Sequence, residues 1–96
     1  MAKEIIVEWD EAKRQSTLNE RGLDFADAIY IINDPSRVER IDDRHDYGEV
    51  RYIVYGLYRS EVICLCYTKR GEAYRIISMR RIHKKERRRY YGINES

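Results

Sequence analysis

The sequence predicts an α+β domain, in which helices form one layer on a curled antiparallel sheet. Helix-type spacing of apolar residues is confined to the first third of the chain. Three runs rich in Val, Ile and Tyr follow at hairpin-length intervals, and a basic segment closes the chain. Its 96 residues suit a single domain, which we expect to span residues 1–96. The expected order is a strand, two N-terminal helices, an antiparallel meander of three to four strands and a C-terminal helix.

The N-terminal third predicts one short strand and two helices. Residues 4–8 read EIIVE and form the strand candidate. Asp10 is a favoured N-cap residue and Gly22 a favoured C-terminal cap, so the first helix is expected between them. Asp24 can cap a second helix over residues 25–32, where apolar residues recur at i, i+3, i+4 and i+7. An Asn-Asp-Pro turn then ends that helix.

The remainder of the chain predicts strands joined by short turns. An acidic polar loop separates the first strand candidate from the other three, which are separated by segments of hairpin length. Short connections make consecutive strands antiparallel neighbours. The four candidates are residues 38–41, 50–58, 62–67 and 72–79.

The motifs of several enzyme classes are missing from the sequence. There is no glycine-rich phosphate loop, no HExxH and no GxSxG pattern. His45 and His83 are far apart, and the acidic residues of 42–46 are better explained by a solvated loop than by a cation site. We therefore expect no metal and no cofactor.

Cysteine usage and hydropathy predict a reducing, cytoplasmic location. No apolar run approaches the about 18–20 residues that span a bilayer, and the N-terminus does not resemble a secretory signal. Cys64 and Cys66 point to one face of a predicted strand and lack the spacing of a zinc site. They are expected to be reduced core residues.

Positive charge is concentrated near the C-terminus. Residues 80–91 contain seven Lys or Arg and one Glu, a local net charge of +6, whereas the whole chain carries +2. We expect a helix over 82–91, ended by Gly92 and anchored to the sheet by Tyr90 and Tyr91. Its cations outnumber the intrahelical partners that one Glu can offer, which predicts contact with a polyanion or an acidic protein. The helix residues expected to make that contact are Lys84, Lys85 and Arg88.

A second group of cations lies on or beside the predicted sheet. Its members are Arg51, Arg70, Arg75, Arg80 and Arg81. Arg75 stands mid-strand, where an unpaired buried guanidinium is costly, so it either faces water or pairs with a carboxylate. The planar guanidinium suits phosphate oxygens, whereas the alternative is weak surface salt bridges to Glu49, Glu61 or Glu72. Phosphate binding requires these arginines to converge on one solvent-open face.

Fragments distributed along nearly the whole chain form a pattern that is fairly specific in its order and spacing. They are Trp9-Asp-Glu-Ala-Lys13, Gly22-Leu-Asp-Phe25, Asp34-Pro35, Tyr47-Gly-Glu49-Val-Arg51-Tyr52, Tyr67-Thr68, Arg70-Gly71, Arg75-Ile-Ile-Ser78, Arg80-Arg81, Glu86 and Tyr90. With these fragments the chain resembles the BrnT family, the toxins of a bacterial type II toxin–antitoxin system.

The resemblance implies a RelE-like fold and a metal-independent endoribonuclease that inhibits translation and growth. It also implies a cognate BrnA-like antitoxin, with operator DNA contacted only through that antitoxin. For a chain isolated from its antitoxin, we expect a homodimer formed through the surface that the antitoxin normally covers. The first helix departs from the family pattern, because Thr17 replaces Asn and Glu20-Arg21 replaces Lys-His.

A metal-free ribonuclease uses the ribose 2′-hydroxyl to attack the adjacent phosphorus and expel the 5′-oxygen. We predict that Arg51, Arg75 and Arg80 stabilise the charge that develops on the phosphate. Base candidates are Glu49, His45 and Glu86. The residues expected to contact RNA are Arg70, Arg81, Lys84, Lys85 and Arg88. Two other classes stay open: a non-catalytic RNA-binding module, and a protein-interaction module whose basic face docks an acidic partner.

Overall fold

A computed structural model describes residues 4–88 of the chain. Its elements are β1 (Ile6–Trp9), α1 (Glu11–Arg21), a 3-10 turn (Phe25–Asp27), α2 (Ala28–Ile32), β2 (Val38–Asp42), β3 (Arg51–Tyr58), β4 (Glu61–Arg70), β5 (Ala73–Arg81) and α3 (residues 84–88). The α+β class is confirmed. Between residues 4 and 88, no helix is long and apolar enough to cross a bilayer.

The sheet has five strands in the described part of the chain, in the order β1-β5-β4-β3-β2. The expected antiparallel meander is confirmed with four strands, β2 to β5, but it is not the whole sheet. β1 pairs in parallel with β5, from Ile6 opposite Ala73 to Trp9 opposite Ile76, which makes the sheet mixed. β1 and β5 are distant in the chain and are not joined by a hairpin, so no local sequence pattern predicts that they pair.

The caps of α1 are confirmed. The side chain of Asp10 accepts a hydrogen bond from the backbone N–H of Lys13 at 3.1 Å, and Gly22 takes the left-handed conformation with φ 68°. The second helix is shorter than predicted. Asp24 accepts from the N–H of Ala26, and this tight turn makes residues 25–27 a 3-10 segment before α2 begins.

The helical layer covers one face of the sheet. Phe25, Ala28 and Ile31 are fully buried against a sheet surface that includes Leu65 and Met79. Gly56 on β3 permits the close approach of α2, because a Cβ there would lie 2.9 Å from Cγ2 of Ile31. The hydrophobic effect therefore fixes which sheet face is closed, and the opposite face is left for polar side chains.

Two strands are longer than the sequence predicted. β4 extends through Arg70, which therefore ends a strand instead of occupying the turn, and Gly71 follows with φ 61°. β5 continues through Arg81, so the final helix begins at residue 84 and not at 82. The expected continuation of that helix through Tyr90 and Tyr91 to Gly92 lies outside the described residues.

The hairpin between β3 and β4 is confirmed at Arg59 and Ser60. Both residues have positive φ, 51° and 66°, as the two central positions of a type I′ turn require. Neither is Gly or Asn, the usual residues of this turn. The twist of the flanking strands therefore imposes a left-handed backbone on two ordinary side chains.

Candidate functional site

The face of the sheet opposite the helices carries a row of one uncharged polar and three charged residues across four strands. Directly paired residues on neighbouring strands point to the same face. Arg51 pairs with Thr68, Thr68 with Arg75, and Arg75 with Glu8. Arg80 reaches the same face through its pairing with Cys64, further along β4. The structure therefore places Arg51, Arg75 and Arg80 on one open face.

A cavity of about 270 Å³ lies on this open face. Among residues 4–88, its lining includes four arginines: Arg40, Arg44, Arg51 and Arg80. The aromatic and sulfur-bearing lining residues are Tyr47, Tyr55, Cys64 and Cys66. Asp42 and Glu86 are its carboxylates in that part of the chain. We call this space the arginine cavity, and its excess of guanidinium groups suits an anionic ligand.

Glu86 reaches into the arginine cavity from α3 and pairs with Arg80 in a bidentate contact. The Nη1–Oε1 distance is 2.8 Å and the Nη2–Oε2 distance is 2.9 Å. The Tyr55 hydroxyl donates to Oε2 at 3.3 Å, and the backbone N–H of His83 donates to Oε1 at 3.2 Å. The Arg80 guanidinium lowers the pKa of Glu86 to about 2, so Glu86 is ionised at neutral pH and a weak proton acceptor.

A second carboxylate anchors the loop that follows β2. Asp42 accepts from Nε of Arg44 at 2.7 Å and from the Tyr47 hydroxyl at 3.1 Å. The Arg44 guanidinium holds the pKa of Asp42 far below its usual range. Tyr47 is thereby held beneath Arg51, whose guanidinium carbon lies 4.0 Å from the ring centroid. The expectation that residues 42–46 form a solvated loop is wrong for Asp42, whose side chain is only 2% exposed.

Burial raises the pKa of three acidic side chains that line the arginine cavity. Burial raises the pKa of the Tyr55 phenol, against a smaller lowering by Arg40. It also raises the pKa of the Cys64 and Cys66 thiols, which are free cysteines as expected. At neutral pH these three groups are therefore protonated, and Tyr55 can donate a hydrogen bond to an anion.

The predicted site residues are only partly brought together. Arg51 and Arg80 both line the arginine cavity, whereas Arg75 lies on the same face outside that lining, 3.8 Å from Glu8. Glu49 pairs with Arg51 at 3.1 Å and lies 3.9 Å from Arg70. Each of these arginines therefore has an internal carboxylate partner, so any external phosphate must compete with a protein carboxylate.

Other predicted site residues lie at the margin or away from the cavity. His45 is exposed and makes an edge contact with the Tyr47 ring, 5.7 Å between centroids. Lys84, Lys85 and Arg88 lie at exposed positions on α3, as does Arg87. Arg81 follows Arg80 on β5 and leaves the strand on the opposite face of the sheet, because consecutive strand residues point to opposite faces. Arg81 instead bonds Glu61 at 2.7 Å and the backbone carbonyl of Arg21.

A second cleft, of about 410 Å³, lies beside the end of β5. It is lined by Glu20, Arg21, Arg80, Arg81 and His83. Nη1 of Arg21 donates to the carbonyl of Met79 at 2.9 Å, which ties the end of α1 to β5. Arg80 therefore stands at the boundary between this cleft and the arginine cavity.

Sequence reasoning missed four residues that line the arginine cavity: Arg40, Arg44, Tyr47 and Tyr55. The period-2 alternation of residues 38–42 could have placed Arg40 and Asp42 on the same face. No comparable signal exists for Arg44 and Tyr47, because their positions depend on the bonds to Asp42. Within residues 4–88, no group of three His, Cys, Asp or Glu side chains could hold a metal ion.

Comparison with known proteins identifies a family to which the chain is similar. The family model described as "Ribonuclease toxin, BrnT, of type II toxin-antitoxin system" matches residues 9–86. Of residues 4–88, all those that line the arginine cavity lie in that range. No curated protein matches the chain.

Proposed function

The chain belongs to the BrnT family of ribonuclease toxins of type II toxin–antitoxin systems, and we propose that it cleaves RNA at the arginine cavity. The observation that carries this proposal is the convergence of four guanidinium groups on one solvent-open cavity. Because RNA presents a phosphodiester at every nucleotide, such a cavity suits one phosphate and its neighbours.

The proposed reaction needs no metal. The 2′-hydroxyl attacks the adjacent phosphorus, its proton passes to a base, and the 5′-oxygen leaves as it gains a proton. Arg51 and Arg80 line the cavity from β3 and β5, where they can stabilise the negative charge that develops on the phosphate oxygens. Arg75 is assigned the same role at the margin of the cavity.

We assign the proton acceptor to a residue outside the Asp42–Arg44 and Glu86–Arg80 ion pairs. Asp42 and Glu86 hold their charge against protonation, so neither is suited to remove a proton near neutral pH. Glu49 and His45 remain the candidates, because they touch the cavity-lining residues Arg51 and Tyr47 respectively. Tyr55, protonated and aimed at the anion bound by Arg80, is a candidate proton donor.

As a type II toxin, the protein has an antitoxin protein as its partner and RNA as its substrate. We assign the antitoxin to the BrnA-like class and expect operator DNA to be bound only through it. We assign RNA contacts outside the cavity to Arg70, Arg81, Lys84, Lys85 and Arg88. In the absence of antitoxin we expect a homodimer, which size-exclusion chromatography with light scattering would detect.

Incubation of the purified protein with end-labelled RNA in EDTA tests the proposal. The expected products carry 2′,3′-cyclic phosphate ends, and an RNA with 2′-deoxyribose at the cleaved position should resist. Salt-dependent binding without cleavage would instead support a non-catalytic RNA-binding module. Absence of RNA binding at low salt would leave a protein-interaction module as the explanation.

A further inference from the structure

We propose that Glu86 acts as an internal anion that occupies the phosphate site of Arg80, and that an RNA phosphate binds there by displacing it. The site, which we call the anion site, consists of the Arg80 guanidinium, the Tyr55 hydroxyl and the backbone N–H of His83. This inference rests on the proposed function, because it assigns the ligand of the same cavity.

The anion site is defined by four hydrogen bonds to one carboxylate. Two come from Arg80, at 2.8 and 2.9 Å, one from Tyr55 at 3.3 Å and one from His83 at 3.2 Å. A guanidinium, a phenol and a main-chain N–H directed at two oxygens form the arrangement that also binds non-bridging phosphate oxygens. Glu86 therefore fills the position that a phosphate would need.

Glu86 has a local structural role as well, which must be separated from this one. It stands three residues after His83 and reaches back to the His83 N–H, as the acidic residue of a capping box does at a helix start. Oε1 accepts from the His83 N–H and also from Nη1 of Arg80, whereas Oε2 accepts from the Tyr55 hydroxyl and from Nη2 of Arg80. Capping alone does not account for two further donors from the sheet.

The anion site is accessible to competition from solvent. The Arg80 side chain is 37% exposed and that of Glu86 is 23% exposed, so an incoming phosphate can approach the guanidinium edge. The pKa of Glu86, about 2, means that protonation does not open the site at neutral pH. Only another anion can then replace Glu86. The apparent affinity for RNA is therefore the intrinsic affinity multiplied by the fraction of molecules in which Glu86 has left the site.

Glu86→Gln tests the proposal, because glutamine keeps the length and the capping ability but removes the charge. The probe is a short 2′-O-methyl RNA, which cannot be cleaved, measured by fluorescence anisotropy at fixed salt. If Glu86 occupies the site in about nine molecules of ten, affinity should rise about tenfold. Glu11→Gln is the matched control: it removes one charge from the ion pair with Arg14 on α1, and affinity should stay within about twofold.

Affinity that is unchanged or weaker in Glu86→Gln would overturn the proposal, because Glu86 would then orient Arg80 for RNA. The gain must also vanish when Arg80→Gln is added, and a gain that persists in the double variant would equally overturn it. If Glu86→Gln does not fold by circular dichroism, Glu86→Asp serves instead. Its side chain is one methylene shorter, so it should lose the bidentate contact with Arg80 and also tighten binding.

The outcomes for the inference and for the proposed function are separable. Cleavage by the wild-type protein without any tightening in Glu86→Gln would remove only the inference. Tighter binding without cleavage by any variant would remove only the ribonuclease mechanism and leave the anion site in place.

Discussion

Arg80→Ala is the most direct test of charge stabilisation on the open face. A preorganised hydrogen-bond donor that faces the charge developing in the transition state lowers the activation barrier by about 2–4 kcal/mol. Each 1.36 kcal/mol corresponds to a tenfold change in rate. Arg80 presents two nitrogens to one anion, so its contribution should lie near the upper end of that range. Its removal should then slow the chemical step about 10³-fold. If the wild type must first displace Glu86 at the proposed cost of about tenfold, the net loss should be about 10²-fold in kcat/KM.

The fold should survive this change. The Arg80–Glu86 pair is partly exposed, and exposed pairs contribute about 0.2–1 kcal/mol to stability. For a domain of this size, a loss of about 1 kcal/mol lowers Tm by about 4–8 °C. Single-turnover cleavage of a labelled RNA with enzyme in excess, well below both melting temperatures, isolates the chemical effect from unfolding.

Arg14→Ala is the matched control for loss of a bidentate ion pair. Arg14 bonds Asp24 at 2.8 and 3.0 Å and lines neither cavity among the described residues, so the variant should cleave RNA at the wild-type rate. Arg80→Lys keeps the charge without the planar fork and should be intermediate. Cleavage by folded Arg80→Ala within about threefold of wild type would refute the reasoning, as would an equal loss in Arg14→Ala.

Three further changes test the fold. Ser60→Gly should stabilise the protein by about 0.5–1 kcal/mol, since φ 66° suits glycine better than serine; an unchanged urea midpoint would contradict this. Gly56→Ala should lower the free energy of unfolding by about 1–3 kcal/mol, because its Cβ would lie 3.1 Å from the Ile31 carbonyl oxygen. A Tm that calorimetry finds higher than that of the wild type would contradict this prediction. Asp42, whose pKa is lowered by Arg44, contributes stability above the ordinary carboxyl pKa of 3.8 that is lost as pH falls below it. Asp42→Asn should therefore reduce the acid sensitivity of the urea midpoint, and an unaltered pH profile would argue against the pair.

The sequence predicted elements whose signals are local. Asp10 and Gly22 mark the ends of α1 because capping involves residues within one helical turn of each other. The hairpin at Arg59 and Ser60 is equally local, since the strands that it joins are adjacent in the chain. The start of α3 has no conventional N-cap residue to mark it in the sequence. The side chain of Glu86 instead accepts a hydrogen bond from the backbone N–H of His83.

The candidate site depended on contacts that no local pattern encodes. The extension of β5 through Arg81 decides that Arg80 lines the arginine cavity and that Arg81, on the opposite face of the strand, does not. Register matters equally, since β4 and β5 are offset by an irregularity at Cys66 and Tyr67 that changes which residues face each other. Arg40 and Arg44 entered the site only through the pairing of β2 with β3 and the bonds to Asp42.

The amino-acid sequence by itself determined the fold class, the helix caps, the concentration of cations and the family pattern, because these depend on residue types and short spacings. Only the tertiary structure decided that β1 pairs with β5, that Arg51 and Arg80 line one cavity, and that Glu86 pairs with Arg80 there. Side chains on a strand alternate between faces with a period of two residues. Strand ends, register and long-range pairing therefore select which charges converge, and these are properties of the folded sheet.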